Sequence, residues 1–480
     1  MNSKIKLLTL ENSIYILLFL QIIIYLLIFG PLSINKIDLS MNFYGDYPSY
    51  KLFDFSSLEL ILSQHRTFGF PLILKIYSFF DSNLTYWPKF VYILFSISNI
   101  FLYYSFKSFN FSKIFSFFFI LGLTVSFTLY PFLTWWTELF SIIFLNITLG
   151  FMFISINKDK IYYYLLFSFF LFFTYQIRPS FVIFSILPVV FCLINYFLFK
   201  NSSKIKKIFF YSITPLIVFI IIRFFIVGSL NLLSFSSGLA GNAVILLTED
   251  QIPKLKIENQ AVAKKFLERK RKLPYPCNLD LGQEQVSFYK HKQFGQYPCF
   301  NIYAMSSWLE SIKINLNIEP FPKNDERNIT AWEHVPTLAN FWQKKEVVKK
   351  NVEIDRIMAK FSKDVYVLNY KKILKKLIKA PFYLMQIQKD INGTLIIFYI
   401  ILIIPVILFM KKSDIKSKNN NEIALTLSFL IITIINILLL YIHQNGDPRA
   451  VVIQTYYLVP IFMSYLIFLI HRNLIEKIEL

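Results

Sequence analysis

Long apolar runs alternate along the chain with short polar breaks that carry lysine. Runs of roughly 20 apolar residues, the length of one bilayer crossing, lie near 14–32, 84–106, 114–131, 137–156, 161–177, 180–199, 208–227, 394–410, 423–442 and 451–470. Each reads as a transmembrane helix, about ten in all. The basic residues then fall at alternate ends: Lys4 and Lys6, Lys107 and Lys113, Lys158 and Lys160, Lys200 to Lys207, Lys411 to Lys418, and Arg472. With ten crossings they share one side, which predicts cytoplasmic N- and C-termini by the positive-inside rule. The expected fold is an all-α polytopic membrane protein, in which a mixed extracytoplasmic loop domain interrupts the spans.

That pattern divides the chain in three. Residues 1–227 form an N-terminal transmembrane module whose first outer loop is 33–83. Residues 228–393 form an extracytoplasmic domain, and 394–480 hold the closing spans. Inside the first outer loop, Phe68–Phe80 is apolar but too short to cross, and Pro71 and Lys75 interrupt it. It fits an interfacial or re-entrant helix. In the long loop, Leu273–Pro276 (LPYP) and Glu319–Pro322 (EPFP) punctuate short segments, and the pattern turns helical from Asn351 to Phe361. Tyr370–Ala380 puts Ile373, Leu374, Leu377 and Ile378 on one face and five lysines on the other, until Pro381 ends it. Such a helix lies on a membrane surface with its lysines on lipid phosphates, or helps to hold an anionic lipid-linked substrate.

Composition sharpens the class. Apolar residues make up 55% of the chain, which suits a membrane protein and not a soluble one. The formal charge of +21 is placed in span-flanking loops and in the long loop. It therefore points to anionic lipid headgroups, and nothing resembles a basic, aromatic-interleaved nucleic-acid module. Three cysteines make neither a disulfide framework nor a Cys-based zinc cluster. Cys192 falls inside a span. Cys277 and Cys299 share the long loop, where they stand as a disulfide or as two free thiols. No small-residue cleavage site follows the first apolar run, which reads as a retained anchor. No His/Cys/Asp cluster has metal-ligand spacing, so a divalent metal is neither called for nor excluded.

Charge at a membrane edge is costly and therefore informative. On the outer face the candidates for chemistry are Asp38, Asp46, Asp54, Glu59, His65 and Arg66 in the first loop, Glu138 and Arg178 at span ends, Arg223 in the seventh span, and Asp447 and Arg449 before the last. Carboxylates with guanidiniums suit a transfer in which a phosphate leaves. One carboxylate deprotonates the incoming hydroxyl, and arginines take up the phosphate charge. Each also has an ordinary role: loop acids are solvated, span-end arginines bind headgroups, and acids at helix N-termini favour the dipole. Arg223 either snorkels or reaches into a cleft.

The order of these segments carries a resemblance. One span is followed by GDYPSY (45–50) and HRTFGFP (65–71). A WTEL (136–139) stands at a later span start, and Arg178-Pro179 follows the fifth span. This resembles the GT-C superfamily of membrane glycosyltransferases, in particular the protein O-mannosyltransferases and lipid A aminoarabinose transferases. Asp46 and Tyr50 match the family's acidic residue and following Tyr. Arg66, Gly69 and Pro71 match its Arg-x-Pro-x-Tyr-Pro-like segment, with Phe70 in place of Tyr. Thr137-Glu138 matches its Thr-Glu, and Arg178-Pro179 its Arg-Pro. The match covers about the first two hundred residues in motif; after 228 no motif of the family is present.

The resemblance implies inverting transfer from a polyprenyl-phosphate sugar to a glycan, lipid or protein acceptor, with Asp46 as general base. Arg66, Arg178 and Arg449 would hold the donor phosphate, Glu138 would orient one of them or a sugar hydroxyl, and Tyr50 and His65 would line the donor site. The loop 228–393 would close as a lid against water, with Trp308, Trp332 and Trp342 stacking on sugars or packing the domain. Two other readings compete. An O-antigen ligase or polymerase leans on outer-loop arginines and a histidine, without the early Asp-x-x-x-Tyr loop. A lipid or solute transporter expects midplane charges and broken helices in repeated halves.

Sidedness is tested by placing a cysteine at Asn301. The expected outcome is labelling by an impermeant maleimide from the extracytoplasmic side; exclusive reaction from the cytoplasmic side contradicts the topology.

Overall fold

The computed structural model describes residues 13–29, 50–129, 137–199, 204–232, 243–244, 246–272, 345–375, 420–444, 457, 460–461 and 464–470. Its helices are α1 (Ser13–Phe29), α2 (Leu58–Ser63), α3 (Gly69–Ser78), α4 (Trp87–Ser108), α5 (Lys113–Leu129), α6 (Thr137–Lys158), α7 (Ile161–Ile177), α8 (Leu187–Phe199), α9 (Ile205–Val227), α10 (Ile257–Lys272), α11 (Lys345–Leu368) and α12 (Asn420–Gln444). Two 3₁₀ segments, Pro179–Ser185 and Glu249–Lys254, join them. No strand occurs among the described residues.

Helices stand at each expected apolar run up to residue 227 and again at 423–442. The run at 394–410 lies outside the described residues, and the last is described only in part. Among the described residues, four stretches are long and apolar enough to cross a membrane: Trp87–Ser108, Thr137–Lys158, Pro179–Phe197 and Ile205–Val227. The first, third and fourth expose Ile97, Phe197, Ile217 and Phe225, side chains that suit hydrocarbon and not water. The expected helix over 180–199 is in fact a 3₁₀ turn followed by α8. Pro188 has no N–H for the Phe184 carbonyl and its ring crowds that oxygen, so the α-helix begins anew at Leu187.

The bundle is organised on α6. It packs against α4 on one side and α7 on the other, and α9 packs on α7. Because α6 is surrounded, apolar residues occupy all its faces, as in any buried helix. Trp87 stacks on Phe140 with ring centroids 5.1 Å apart, and Phe70 meets both rings edge-on. A polar network sits within this apolar packing. Asn146 donates to Asn99 Oδ1 at 2.9 Å, and Tyr457 Oη donates to Asn146 Oδ1 at 2.7 Å. All three residues are buried, so these bonds satisfy the Asn146 amide where hydrocarbon cannot, while Asn99 Nδ2 has no partner among the described residues.

The part of the expected loop domain that is described is helical. On α11, Val348, Val352, Met358, Phe361 and Val365 recur at helical spacing and are buried, and Phe361 meets Phe266 of α10 edge-on at 4.9 Å. A 3.6-residue period over 24 residues leaves no place for a strand there. The interfacial piece expected at 68–80 is α3, which buries Phe70 and Leu74 and exposes Ile76. The basic helix expected from Tyr370 is described to residue 375 and follows a turn at Asn369. Residues 273–344, with both PxP-type breaks and the three tryptophans named above, lie outside the described residues, as do Cys277 and Cys299.

Replacing Asn146 with Leu leaves the Asn99 side-chain oxygen without its donor and reduces the Tyr457 hydroxyl to its bond with the Ile142 carbonyl. The expected loss of stability is about 1–2 kcal/mol, read as a lower unfolding midpoint in detergent; an unchanged midpoint contradicts a structural role for the network.

Candidate functional site

The turn between α6 and α7 lies at one end of the bundle, and the start of α6 and the close of α7 lie together at the other. At this second end, α6 opens with Thr137 and Glu138, the position where a carboxylate meets the positive helix terminus. Arg178 caps the end of α7 in extended conformation, which turns its side chain away from the helix axis. The two meet: Arg178 Nη2 lies 3.0 Å from Glu138 Oε1. The Thr137 hydroxyl donates to Glu138 Oε2 at 3.0 Å and lies 3.5 Å from Arg178 Nη1. Arg178 is 9% exposed and Glu138 2%. The pair is therefore a desolvated one, in which removing either partner leaves an uncompensated charge.

The segment that leads into α3 is pinned to the same end by one glycine. A Cβ on Gly69 would stand 2.6 Å from the Gln176 carbonyl carbon and 2.8 Å from the Ile177 nitrogen. Only glycine lets α3 start against the last turn of α7. Three residues before it is Arg66, whose guanidinium lies 5.0 Å over the Tyr50 ring. Tyr50 in turn meets Phe70 edge-on at 5.0 Å, and Phe70 meets Phe140, two residues beyond Glu138. A continuous chain of contacts thus runs from Arg66 through Tyr50 and Phe70 to the start of α6. His65 is buried beside Arg66.

Of the residues named from sequence, Tyr50, His65, Arg66, Glu138 and Arg178 are gathered at this end. Asp46 and Arg449 lie outside the described residues, as do Asp38 and Asp447. The remaining acids of the first loop have local duties. Asp54 accepts the Ser56 N–H at 2.7 Å in a side-chain-closed turn, and Gln64 clamps the Asp54 backbone from both sides. Glu59 is exposed in the first turn of α2, behind the Ser57 cap. Neither is placed to act as a buried base.

Arg223 differs from both sequence expectations. Its side chain is 1% exposed and neither snorkels nor lines a cleft. Nε donates to the Leu62 carbonyl at 3.0 Å, and Nη1 donates to Ser229 Oγ and to the Asn231 carbonyl. Asn231 donates to Asp355 Oδ2 at 2.8 Å, and Asn351 donates to the Ser63 carbonyl at 2.9 Å. Gly228 closes α9 at φ +66°, where a side chain would be strained and would strike Arg356. Arg223 is thus a latch that holds α11 against α2 and the end of α9. Asn351 and Asp355 were legible as polar positions on the apolar face of an amphipathic helix, the signal that the sequence reading passed over. Gln176 was also missed: it is fully buried, and both polar atoms of its side chain lack a partner among the described residues.

No group of three or more His, Cys, Asp and Glu side chains is placed to hold a metal among the described residues. Comparison of the chain with protein-family models, with curated proteins and with solved structures gave no match.

Gly69→Ala tests the pinning of the loop. The new methyl meets the Gln176–Ile177 backbone and cannot be relieved by a rotamer change, so a loss of about 1–3 kcal/mol is expected, read as a lower unfolding midpoint. Stability equal to wild type contradicts the close approach.

Proposed function

We propose that the protein is a multi-pass membrane glycosyltransferase of GT-C type. It moves a sugar from a polyprenyl-phosphate donor to an extracytoplasmic glycan, lipid or protein acceptor. The observation that carries this reading is the buried Glu138–Arg178 pair, with Tyr50 and Arg66 packed at the same end of the bundle by Gly69. Solvated surface charge has no need of such an arrangement, whereas a site that takes up a leaving phosphate does. The exposed apolar faces around it fit a donor whose lipid tail stays in the bilayer.

In this reading about ten spans place the site on the periplasmic or extracytoplasmic face of a bacterial inner membrane, with both termini in the cytoplasm. Asp46, four residues before Tyr50, takes the proton of the acceptor hydroxyl. The acceptor oxygen bonds to the anomeric carbon from the face opposite the phosphate, the bond from that carbon to the phosphate oxygen breaks, and configuration inverts. Polyprenyl phosphate leaves with its new charge held by Arg66 and Arg178, and Arg449 is the third cation proposed for it. Glu138 keeps Arg178 extended towards the donor, and His65 and Tyr50 line the sugar side. The domain from 228 to 393 covers the reacting groups, and the Arg223 latch fixes α11, one of its helices, in register over α2. Membrane lipids are the remaining partner, and no nucleic acid is involved.

The test is transfer by the full-length protein in vesicles that contain the native pool of lipid-linked sugars, followed as release of polyprenyl phosphate by mass spectrometry. Asp46→Asn is expected to lower turnover by about 100-fold or more while the unfolding midpoint holds. Wild-type turnover in that variant removes the assigned base.

A further inference from the structure

The end of the bundle opposite the Glu138–Arg178 pair holds a cavity of 290 Å³. It lies some 30 Å away along α6, at 1.5 Å per residue. The cavity forms where the closing turns of α4 and α6, the body of α8 and the first turns of α9 and α12 converge. Its polar wall is Asn110, Asn157, Asn195, Asn421 and Lys204. Four amides and one ammonium gathered in one pocket of an otherwise apolar bundle ask for an explanation.

Part of their role is internal. Asn157 donates to the Ser108 carbonyl at 2.8 Å, Asn421 to the Phe109 carbonyl at 3.2 Å and Asn195 to the Phe191 carbonyl at 3.1 Å, while Lys204 donates to the Ile156 carbonyl. Three of these bonds satisfy backbone oxygens at or near helix ends, and Asn195 bonds back to the carbonyl one turn earlier in α8. They also orient the groups. With one amide hydrogen spent on each carbonyl, the side-chain oxygens of Asn157, Asn195 and Asn421 accept no hydrogen bond from the described residues, and the Lys204 ammonium retains two of its three hydrogens. Asn110 is held at φ +62° and adds a further amide. Two acids lie near the pocket: Asp159 is matched by Lys207 at 2.8 Å, which holds its carboxyl below the ordinary carboxylate range, and Glu422, beside Asn421, is buried and accepts the Ser112 N–H at 2.6 Å. The charge left to the pocket is therefore positive, and Lys158, Lys160 and Lys206 surround the same end.

We infer that this cavity is a second binding site, for an anionic polyol phosphate. Phosphate oxygens meet the Lys204 ammonium, and vicinal hydroxyls donate to the asparagine oxygens while accepting from their remaining amide hydrogens. Phe109, Phe191 and Ile205 make the apolar wall, against which the carbon skeleton lies. The volume of 290 Å³ admits a phosphoglycerol group. The chemistry is shared by a phosphatidylglycerol headgroup and by soluble glycerol phosphate. Basic pockets between helices at a membrane surface are a known way to hold such headgroups. The inference does not rest on the glycosyl-transfer reading, because no residue of that site takes part.

The chain supplies its own reporter, since Cys192 lines the cavity. In full-length protein carrying Cys277→Ser and Cys299→Ser, it is the one remaining thiol. The experiment measures its alkylation rate by N-ethylmaleimide in neutral detergent with phosphatidylglycerol, with phosphatidylcholine or with glycerol 3-phosphate. Phosphatidylglycerol or glycerol 3-phosphate is expected to slow alkylation by about tenfold at saturation, with the midpoint raised by a similar factor in Lys204→Gln. Protection by the lipid alone assigns the site to a headgroup, and protection by glycerol 3-phosphate alone assigns it to a soluble ligand. Equal protection by phosphatidylcholine, or none by either phosphate in the wild-type background, overturns the proposal. The wild-type arms stand whether or not Lys204→Gln folds.

Discussion

A carboxylate and a guanidinium with almost no access to water are stable only as a pair, and Glu138 and Arg178 make that pair at one end of the bundle. It ties the first residue pair of α6 to the residue that ends α7, and so closes the most extensive helix contact among the described residues. Around this fixed point the other elements have little freedom. Gly69 sets α3 directly on the last turn of α7, and Phe70 then fills the space between Trp87 and Phe140. The position of Arg66 over Tyr50 follows from that packing.

A second constraint acts on the domain that follows α9. Arg223 is buried in the final turn of a helix whose other faces are apolar, and a charge there is tolerable only with a full set of acceptors. The Leu62 and Asn231 carbonyls and Ser229 provide them, and Asp355 supplies opposite charge through Asn231. The acceptors come from α2 and from the segment after α9, so the same residue that solves a local desolvation problem also docks α11.

Much of this was legible in the sequence, because hydrophobic period and length are local signals. The limits of α4, α6, α7 and α9 follow the apolar runs to within a few residues. The break before α8 was equally local, since Pro188 prints it, yet the apolar run hid it. The grouping of Glu138 with Arg178 followed from counting which span ends share a side. What the sequence did not carry was pairing across long separations. Nothing local says that Arg223 bonds Leu62, 161 positions away, or that Gly69 is needed because Gln176 is behind it. Such contacts depend on how helices are placed, and a periodic pattern fixes a helix's face but not its neighbour. The acids of the first loop were separated in the same way: Asp54 is revealed as a turn-former only by its bond to Ser56.

The measurement that bears most directly on the account is undecaprenyl phosphate binding to the paired variant Glu138→Gln/Arg178→Gln, set beside its unfolding midpoint. Neutralising both partners removes the buried charges together, so the fold is expected to hold. If Arg178 is there to take up a phosphate, binding weakens by about tenfold or more, the scale of one lost charge-assisted contact. A paired variant that folds and binds undecaprenyl phosphate as tightly as the wild type would show that the pair serves the helix hairpin alone, and would contradict the site.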